Sequence, residues 1–529
     1  MHAQGATRSG HCTLKSLYAK VTVSDSLATS SARAHKPAGF SALNDFSPVG
    51  VLLLFIAAQI VVWTVVPRLF AISLPLDVVS DGVSWGHEWQ WGYFKHPPLP
   101  SWAVEVFFDL FGDTGPFLLS QIAIGATYAL VYRLGRAMMP ARQALIGTLL
   151  LASIYYFSIP TPEFNHNVAQ MPVWAWATLA YYEAVETGRL RWWAALGLAA
   201  GVAVLTKYAS AALLLAILAH MISTRNGRAA FLSPGPWLAL AVSVLVVSPH
   251  VVWLCQNHFS TFSYAAGRAG HGAGFLRRIL VPLRFLIAQF AILLPCLIVA
   301  GAVGLLRPVP LPPRDDKRFR FLLFLGLGPA LITALLSFLT GFGIRDMWGT
   351  PMWNLSGLLI VYAIQPRWPR TSLPALYAWV VAFFVILPVA YVVSTSLGPE
   401  WRGKVSRTEW PDRAMAKAFA GAWQSEIRRP PSIVAGNGWL AGLIAMRLDP
   451  RASVFVDADS QHAPWITPAR LAREGALVVW QTGKSDSPPA TLSLPGMRIM
   501  GVKTFAWPRQ PSMKPLRIGW GIVAPASPR

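Results

Sequence analysis

Along the first 400 positions, apolar residues come in long unbroken runs, and the polar residues between them are bunched. Runs of about 18 or more apolar residues match the ~30 Å of hydrocarbon that a membrane helix must cross. Spans are expected near 49–66, 117–134, 144–159, 168–184, 192–206, 209–223, 236–254, 279–305, 321–340, 352–365 and 373–396, about eleven in all by the sliding-window rule. The runs are continuous rather than alternating, which argues against a transmembrane barrel. Trp102–Phe111 is short and amphipathic and is expected to lie along the interface. After about residue 397 the runs shorten, and 432–436, 453–457 and 476–481 have strand composition around a helical 439–447. The pattern therefore predicts an all-α polytopic membrane protein with a small C-terminal α/β extramembrane domain. Its expected parts are a disordered cytoplasmic tail (1–47), a transmembrane unit (48–396) and the extramembrane domain (397–529).

Composition supports this class. The chain is 54% hydrophobic and only 13% charged, about half the charged share of a soluble protein. A net charge of +22 would suggest nucleic acid in a soluble chain; here it marks loops that face anionic headgroups, and no nucleic-acid partner is expected. Cys12, Cys255 and Cys296 are scattered, without metal-ligand spacing or a disulfide framework. The tail is polar and Ser/Ala-rich and lacks the short apolar core of a cleaved signal.

Charge also sorts the loops. One alternate set carries Arg133/Arg136/Arg142, Arg189/Arg191, Arg225/Arg228, Arg307 to Arg320 and Arg367/Arg370, and is expected to be cytoplasmic. The other set holds the carboxylates, His, Asn and Trp, and its main basic cluster is Arg268/Arg277/Arg278. An odd span number then places the N-terminus inside and the C-terminal domain outside.

The candidate chemistry lies in the second set. Leu74–Trp102 packs Asp77, Asp81, Glu88, Lys95 and His96 among Trp and Tyr and ends in His96-Pro97-Pro98-Leu99-Pro100. Asp77, just past Pro75, is either a base near the interface or a helix cap. Asp81 and Glu88 share its face if the stretch is helical, and otherwise belong to a solvated face. Lys95 and His96 precede a Pro-Pro that stiffens the backbone, so they either meet a phosphate or anchor at the interface. Glu163, Asn165 and Asn167 crowd into one turn, suited to sugar hydroxyls or simply to a polar turn; His166 has no second ligand at metal-binding spacing. Lys207, between two spans, either binds a ligand or snorkels. Arg345 has the fork geometry for phosphate, or pairs with Asp346.

Trp91-Gly92-Tyr93-Phe94-Lys95-His96-Pro97-Pro98-Leu99-Pro100-Ser101-Trp102 and Leu205-Thr206-Lys207-Tyr208 resemble motifs of bacterial dolichyl-phosphate-mannose-protein mannosyltransferase-like proteins. These are family-39-type glycosyltransferases of the C superfamily, related to the lipid A aminoarabinose transferases. The similarity runs over roughly 48–365. It implies inverting transfer of a sugar from a polyprenyl-phosphate donor to a lipid, glycan or protein acceptor on the periplasmic face, with no nucleotide sugar and no cofactor or essential metal. It places the first-loop catalytic aspartate at Asp77, a phosphate contact at His96 and the late-loop basic residue at Arg345. Where the family often has Asp-Glu, this chain has Asp77-Val78; where it has Thr-Pro-Asp, this chain has Thr161-Pro162-Glu163. The alternative is a transporter or flippase of a lipid-linked substrate, which would favour inverted repeats and mid-bilayer charges; a non-catalytic scaffold would not need the acidic loop.

Overall fold

A computed structural model describes residues 47–269, 274–303, 313, 316–364, 372–483 and 485–526. The expected tail, apart from Ser47, lies outside these residues, as do Cys12, Arg307, Arg314, Arg367, Arg370 and the side chain of Arg268.

Apart from the short Ser84–Gly86 and Arg225–Ala230 and the loop helix Ser260–Ala269, twelve helices among the described residues make up the membrane part. They are Pro48–Phe70 (α1), Leu99–Phe111 (α2), Gly115–Met138 (α3), Ala141–Leu150 (α4), His166–Thr187 (α5), Leu190–Thr206 (α6), Ala211–Ser223 (α7), Pro234–Gln256 (α8), Phe275–Ala302 (α9), Lys317–Thr340 (α10), Ser356–Ile364 (α11) and Ser372–Ser396 (α12). Their ends follow local chemistry. Ser47 caps α1 ahead of Pro48, with its hydroxyl accepting from Gly50 N at 3.1 Å. Asp316 caps α10, and left-handed Gly341 ends it. Each expected run contains a helix. Six helical stretches among the described residues are long and apolar enough to cross a membrane: α1, α2–α3, α8, α9, α10 and α12. Bulky apolar side chains on α8 (Val244, Leu245) and α12 (Val385, Ile386) point outward, as a lipid-facing surface requires.

Two runs are shorter than expected. The run at 144–159 is helical only to Leu150 and then breaks into 3-10 turns around an extended Ile154. The run at 352–365 starts its α-helix at Ser356, because 346–353 is a 3-10 segment containing Pro351, which has no N–H for a helical ladder.

The C-terminal domain adds helices Asp412–Ile427 (α13), Gly438–Ala445 (α14) and Pro468–Glu474 (α15), with strands Ile433–Gly436 (β1), Ser453–Val456 (β2), Ala476–Gln481 (β3), Met497–Phe505 (β4) and Leu516–Val523 (β5). The sheet order is β2-β1-β3-β5-β4. β1 pairs in parallel with β2 and β3, while β5 joins β3 and β4 antiparallel. β1 and β2 are buried along their whole length and, apart from Ser453, whose hydroxyl accepts from Arg470 at 2.8 Å, are apolar for that reason.

This domain is fastened to the membrane part by ions and by close packing. Arg447 bridges Asp113 Oδ1 (2.6 Å) and Asp412 Oδ2 (2.8 Å). Arg451 reaches Glu105 (2.6 Å) and Asp109 (2.8 Å) on α2. Gly442 of α14 sits so close to the acidic loop that an added Cβ would meet Ser84 Oγ at 2.6 Å and Val79 Cγ1 at 2.9 Å.

Arg447→Ala would leave two buried carboxylates short of a partner, a loss of roughly 3–5 kcal/mol. Arg413, which pairs with Asp113 at 2.9 Å but is largely exposed, should matter far less. Thermal unfolding in detergent checks this: a drop of several degrees is expected for Arg447→Ala and little change for Arg413→Ala. Equal losses would refute the ranking.

Candidate active site

The acidic loop leaves α1 and turns at Pro75 into a π-helical segment, Val78–Val83, followed by one α-turn, Ser84–Gly86. Side chains support this wide turn. Ser84 Oγ donates to the Val79 carbonyl (2.7 Å), Ser101 Oγ to the Asp81 carbonyl (2.6 Å), and the Tyr93 hydroxyl to the Trp85 carbonyl (2.7 Å). Isolated π turns recur at functional sites. The N–H of Asp77 donates to Glu163 Oε1 at 2.8 Å, so the cap comes from a loop 86 residues away. The Asp77 side chain makes no cap bond, which corrects the helix-cap alternative. Instead Asp77 Oδ2 accepts from Asn165 Nδ2 at 3.3 Å. The other end of Asn165 caps α5, its Oδ1 accepting from the N–H groups of Asn167 (2.9 Å) and Val168 (3.2 Å).

Cations surround this carboxylate. Lys95 Nζ lies 3.2 Å from Asp81 Oδ1 and 5.4 Å from both the Trp85 and Phe94 ring centres. Lys207, the C-cap of α6, is buried, donates to Asn167 Oδ1 and sits 5.5 Å over Trp348. Its burial corrects the snorkelling alternative. The His96 and His166 ring centres lie 4.1 Å apart, their planes tilted by 34°. Ligand-capable atoms of Asp81, His96 and His166 all fall within 4.8 Å of one another; these residues come from two loops, so no sequence spacing could reveal them. No ion pair joins Arg345 to Asp346 among the described residues, and Arg345 faces a cavity instead.

Two cavities meet at Leu76 and Asp77. The larger, about 470 Å³, is lined by Glu163, Arg345, Met347, Tyr391 and Arg407 among others. The smaller, about 350 Å³, takes Asp81, Trp85, Phe94 and Lys95 from the loop, and Asn437, Trp439, Asp457 and His462 from the C-terminal domain. These last residues follow the carboxyl ends of adjacent parallel strands β1 and β2, where α/β sheets bind ligands. His462 stacks on Phe94 at 4.0 Å.

Asp77, Asp81, Lys95, Glu163, Asn165, Asn167, His96 and Lys207 are thus joined by short contacts, with Arg345 on the wall of the larger cavity. Glu88 is not brought in. The helical turn ends at Gly86, and Glu88 lies beside Ser453 and Arg470 of the C-terminal domain. Arg277 and Arg278 are exposed at the start of α9 and line neither cavity. The sequence reading missed Arg407, Asn437, Asp457 and His462; the Gly436-Asn437-Gly438 turn was the one available signal.

Burial pushes the Asp77 carboxyl above the usual carboxylate range, and the neighbouring Asp81 pushes it further. Burial and then Asp77 raise Glu163 in the same way. Burial pushes the Lys207 ammonium down to about 8, against the pull of Asp77. Such an arrangement can hold a proton-accepting carboxylate beside fixed positive charge.

A family model for dolichyl-phosphate-mannose-protein mannosyltransferases matches residues 95–253. Two relatives from Rhizobium johnstonii are a lipid A galacturonosyltransferase, RgtD, 22% identical over 56% of this chain, and a lipopolysaccharide core galacturonosyltransferase, RgtB, 26% identical over 75%. The chain spans 64% of the first relative's length and 81% of the second's. Among solved structures, ArnT from Cupriavidus metallidurans bound to undecaprenyl phosphate superposes with a TM-score of 0.61 at 16% identity, covering 91% of this chain and 100% of that one. Its apo form gives 0.58 at 15% identity, covering 91% and 99%. The chain is thus similar in sequence to glycosyltransferases, among them two named for lipid A and the lipopolysaccharide core, and similar in fold to ArnT.

Proposed function

We propose that the chain is an inverting glycosyltransferase moving a sugar from a polyprenyl-phosphate donor to an acceptor on the periplasmic face, through an eleven-span bundle with its N-terminus inside. The observation that carries this reading is the meeting of two cavities at one carboxylate, since a group transfer must bring two reactants to one base. Asp77 orients and deprotonates the acceptor hydroxyl, and Asn165 holds its carboxylate. The polyprenyl phosphate leaves as an anion, so cations must already stand where that charge develops. Arg345 in the larger cavity and Lys207 beneath Asn167 do this from one side and Lys95 from the other, where His96 can add a hydrogen bond to the phosphate. Asp81, Glu163 and Asn167 hold these cations and the loop in place and, with the indoles, face the sugar; Glu88 serves the domain contact. The relatives are named as galacturonosyltransferases of lipid A and of the lipopolysaccharide core. A polyprenyl-phosphate hexuronate and a lipid A acceptor are therefore the first pair to supply.

With that pair, Asp77→Asn should lose about 10²–10⁴-fold in turnover; unchanged transfer would remove Asp77 from the mechanism. The pH profile should be bell-shaped. Activity rises as Asp77 deprotonates, with an acid limb above the ~4 of a free carboxyl, and falls as Lys207 loses its proton near about 8. Lys207→Arg should abolish the alkaline limb while keeping measurable turnover; an unmoved limb would rule Lys207 out as its source. Lys95 already supplies positive charge to Asp81, so transfer should proceed without a divalent ion. Assays after exhaustive chelation check this, and a loss restored by added metal would assign Asp81, His96 and His166 as ligands instead.

A further inference from the structure

Three helices that reach the Asp77 site with one end carry a second cluster at the other. On α5, Tyr182 and Glu186 lie 16 and 20 residues beyond His166, about 24–30 Å away at 1.5 Å per residue. α7 begins just after Lys207 and ends at His220–Ser223, and α10 begins at Lys317 and ends just before Arg345. Where these far ends meet there is a cavity of about 160 Å³, lined by His220, Thr224, Arg225, Asn226, Lys317, Arg318, Arg320 and Phe321 with Tyr182 and Glu186. That is room for several water-sized groups, and so for one phosphate.

Charge there is one-sided. Four cations, Arg225, Lys317, Arg318 and Arg320, face a single carboxylate, Glu186. Arg318 spends one N–H on the Met138 carbonyl at 2.9 Å. Among the described residues no carboxylate pairs with Arg225, Lys317 or Arg320. Two buried side chains on the wall carry polar atoms: His220, whose Nδ1 lies 2.7 Å from the Tyr181 hydroxyl, and Tyr182. Like charges held together without counterions repel, and a bound anion relieves that repulsion. A basic pocket between helices at one membrane surface suits a phosphate-bearing headgroup.

We propose that this cavity, on the membrane face opposite Asp77, binds a phosphate-bearing anion, either the headgroup of an anionic lipid in that leaflet or free phosphate. Arg225 and Arg320 supply the planar forks and Lys317 the point charge.

The test uses the purified full-length chain in uncharged detergent, titrated with phosphatidylglycerol, with phosphatidylcholine and with inorganic phosphate. Native mass spectrometry reads lipid retention and thermal unfolding reads the shift in midpoint. For a lipid headgroup, phosphatidylglycerol binds more tightly than phosphatidylcholine, and Arg225→Gln/Arg320→Gln weakens it at least tenfold, whereas Arg413→Gln, at an exposed arginine of the C-terminal domain, does not. For free phosphate, the anion alone raises the midpoint of the unmodified chain and not of the double variant, and lipid retention is unchanged. Should the double variant fail to elute as a single folded species, the exposed Lys317→Gln, which removes one of the four charges, is read the same way, with a three- to fivefold loss expected. Binding of both probes that is equal in the unmodified chain and the variants, or binding of neither, overturns the proposal.

Discussion

The bond from the Asp77 N–H to Glu163 is the constraint on which the site depends. It satisfies the first free donor of a short π turn with a carboxyl oxygen in a buried place. It also brings a second carboxylate close to the Asp77 side chain, and each raises the other's affinity for a proton. The loop tolerates this because Asn165 donates to Asp77 while Lys95 and Lys207 lie close by. The acids and cations are therefore mutually dependent. Removing one lysine both lowers the positive potential for an arriving anion and lets a carboxyl take up a proton. A polar group this close to hydrocarbon is kept only where partners or a ligand offset its desolvation.

The architecture was largely legible because membrane spans have a strong one-dimensional signature: apolar length. Where that signature misled, at 144–159 and 352–365, apolar composition continued past the point where the backbone could stay helical, as at Pro351. In the C-terminal domain, β1, β2 and β3 were legible as apolar runs. β4 and β5 were not. β4 is an edge strand carrying Arg498 and Lys503, with an irregularity at left-handed Gly501. β5 contains Gly519, where a Cβ would strike the Trp480 ring at 2.3 Å; its composition reflects packing rather than strand propensity. At the site, Asp77, His96 and Lys207 could be singled out because each is a polar residue beside an apolar run. Arg407, Asp457 and His462 could not, because in a soluble domain such residues are ordinary. Glu88 failed for a geometric reason: a helical face was extrapolated beyond the Gly86 end of the turn.

Helices α5, α7 and α10 are polar at both ends and apolar between. Such helices bring Asn167, Lys207 and Arg345 to one rim and Glu186, His220 and Arg320 to the other. The two clusters differ in character. At the Asp77 end, acids and bases are matched nearly one to one and hydrogen-bonded. At the far end, among the described residues, the cations lining the cavity outnumber the acids, and Arg225, Lys317 and Arg320 have no ion-pair partner. Matched charge holds a reactive geometry without a ligand, and unmatched charge needs one.

The C-terminal domain is part of the site. Without it, the smaller cavity would lose Asn437, Trp439, Asp457 and His462, the wall built by the carboxyl ends of β1 and β2. That wall is held with some strain: Asp457 and Ala458 both have φ near +55°, and a left-handed alanine costs about 1–2 kcal/mol. The Asp457 N–H donates to the Gly436 carbonyl at 2.7 Å, tying the ends of the two strands together. The close seat of Gly442 on Val79 and Ser84 passes that rigidity to the π turn, while Arg447 and Arg451 fix the domain over α2. These partly buried ion pairs and the glycine-width interface hold the domain against α2 and the π turn, where it supplies one wall of the smaller cavity.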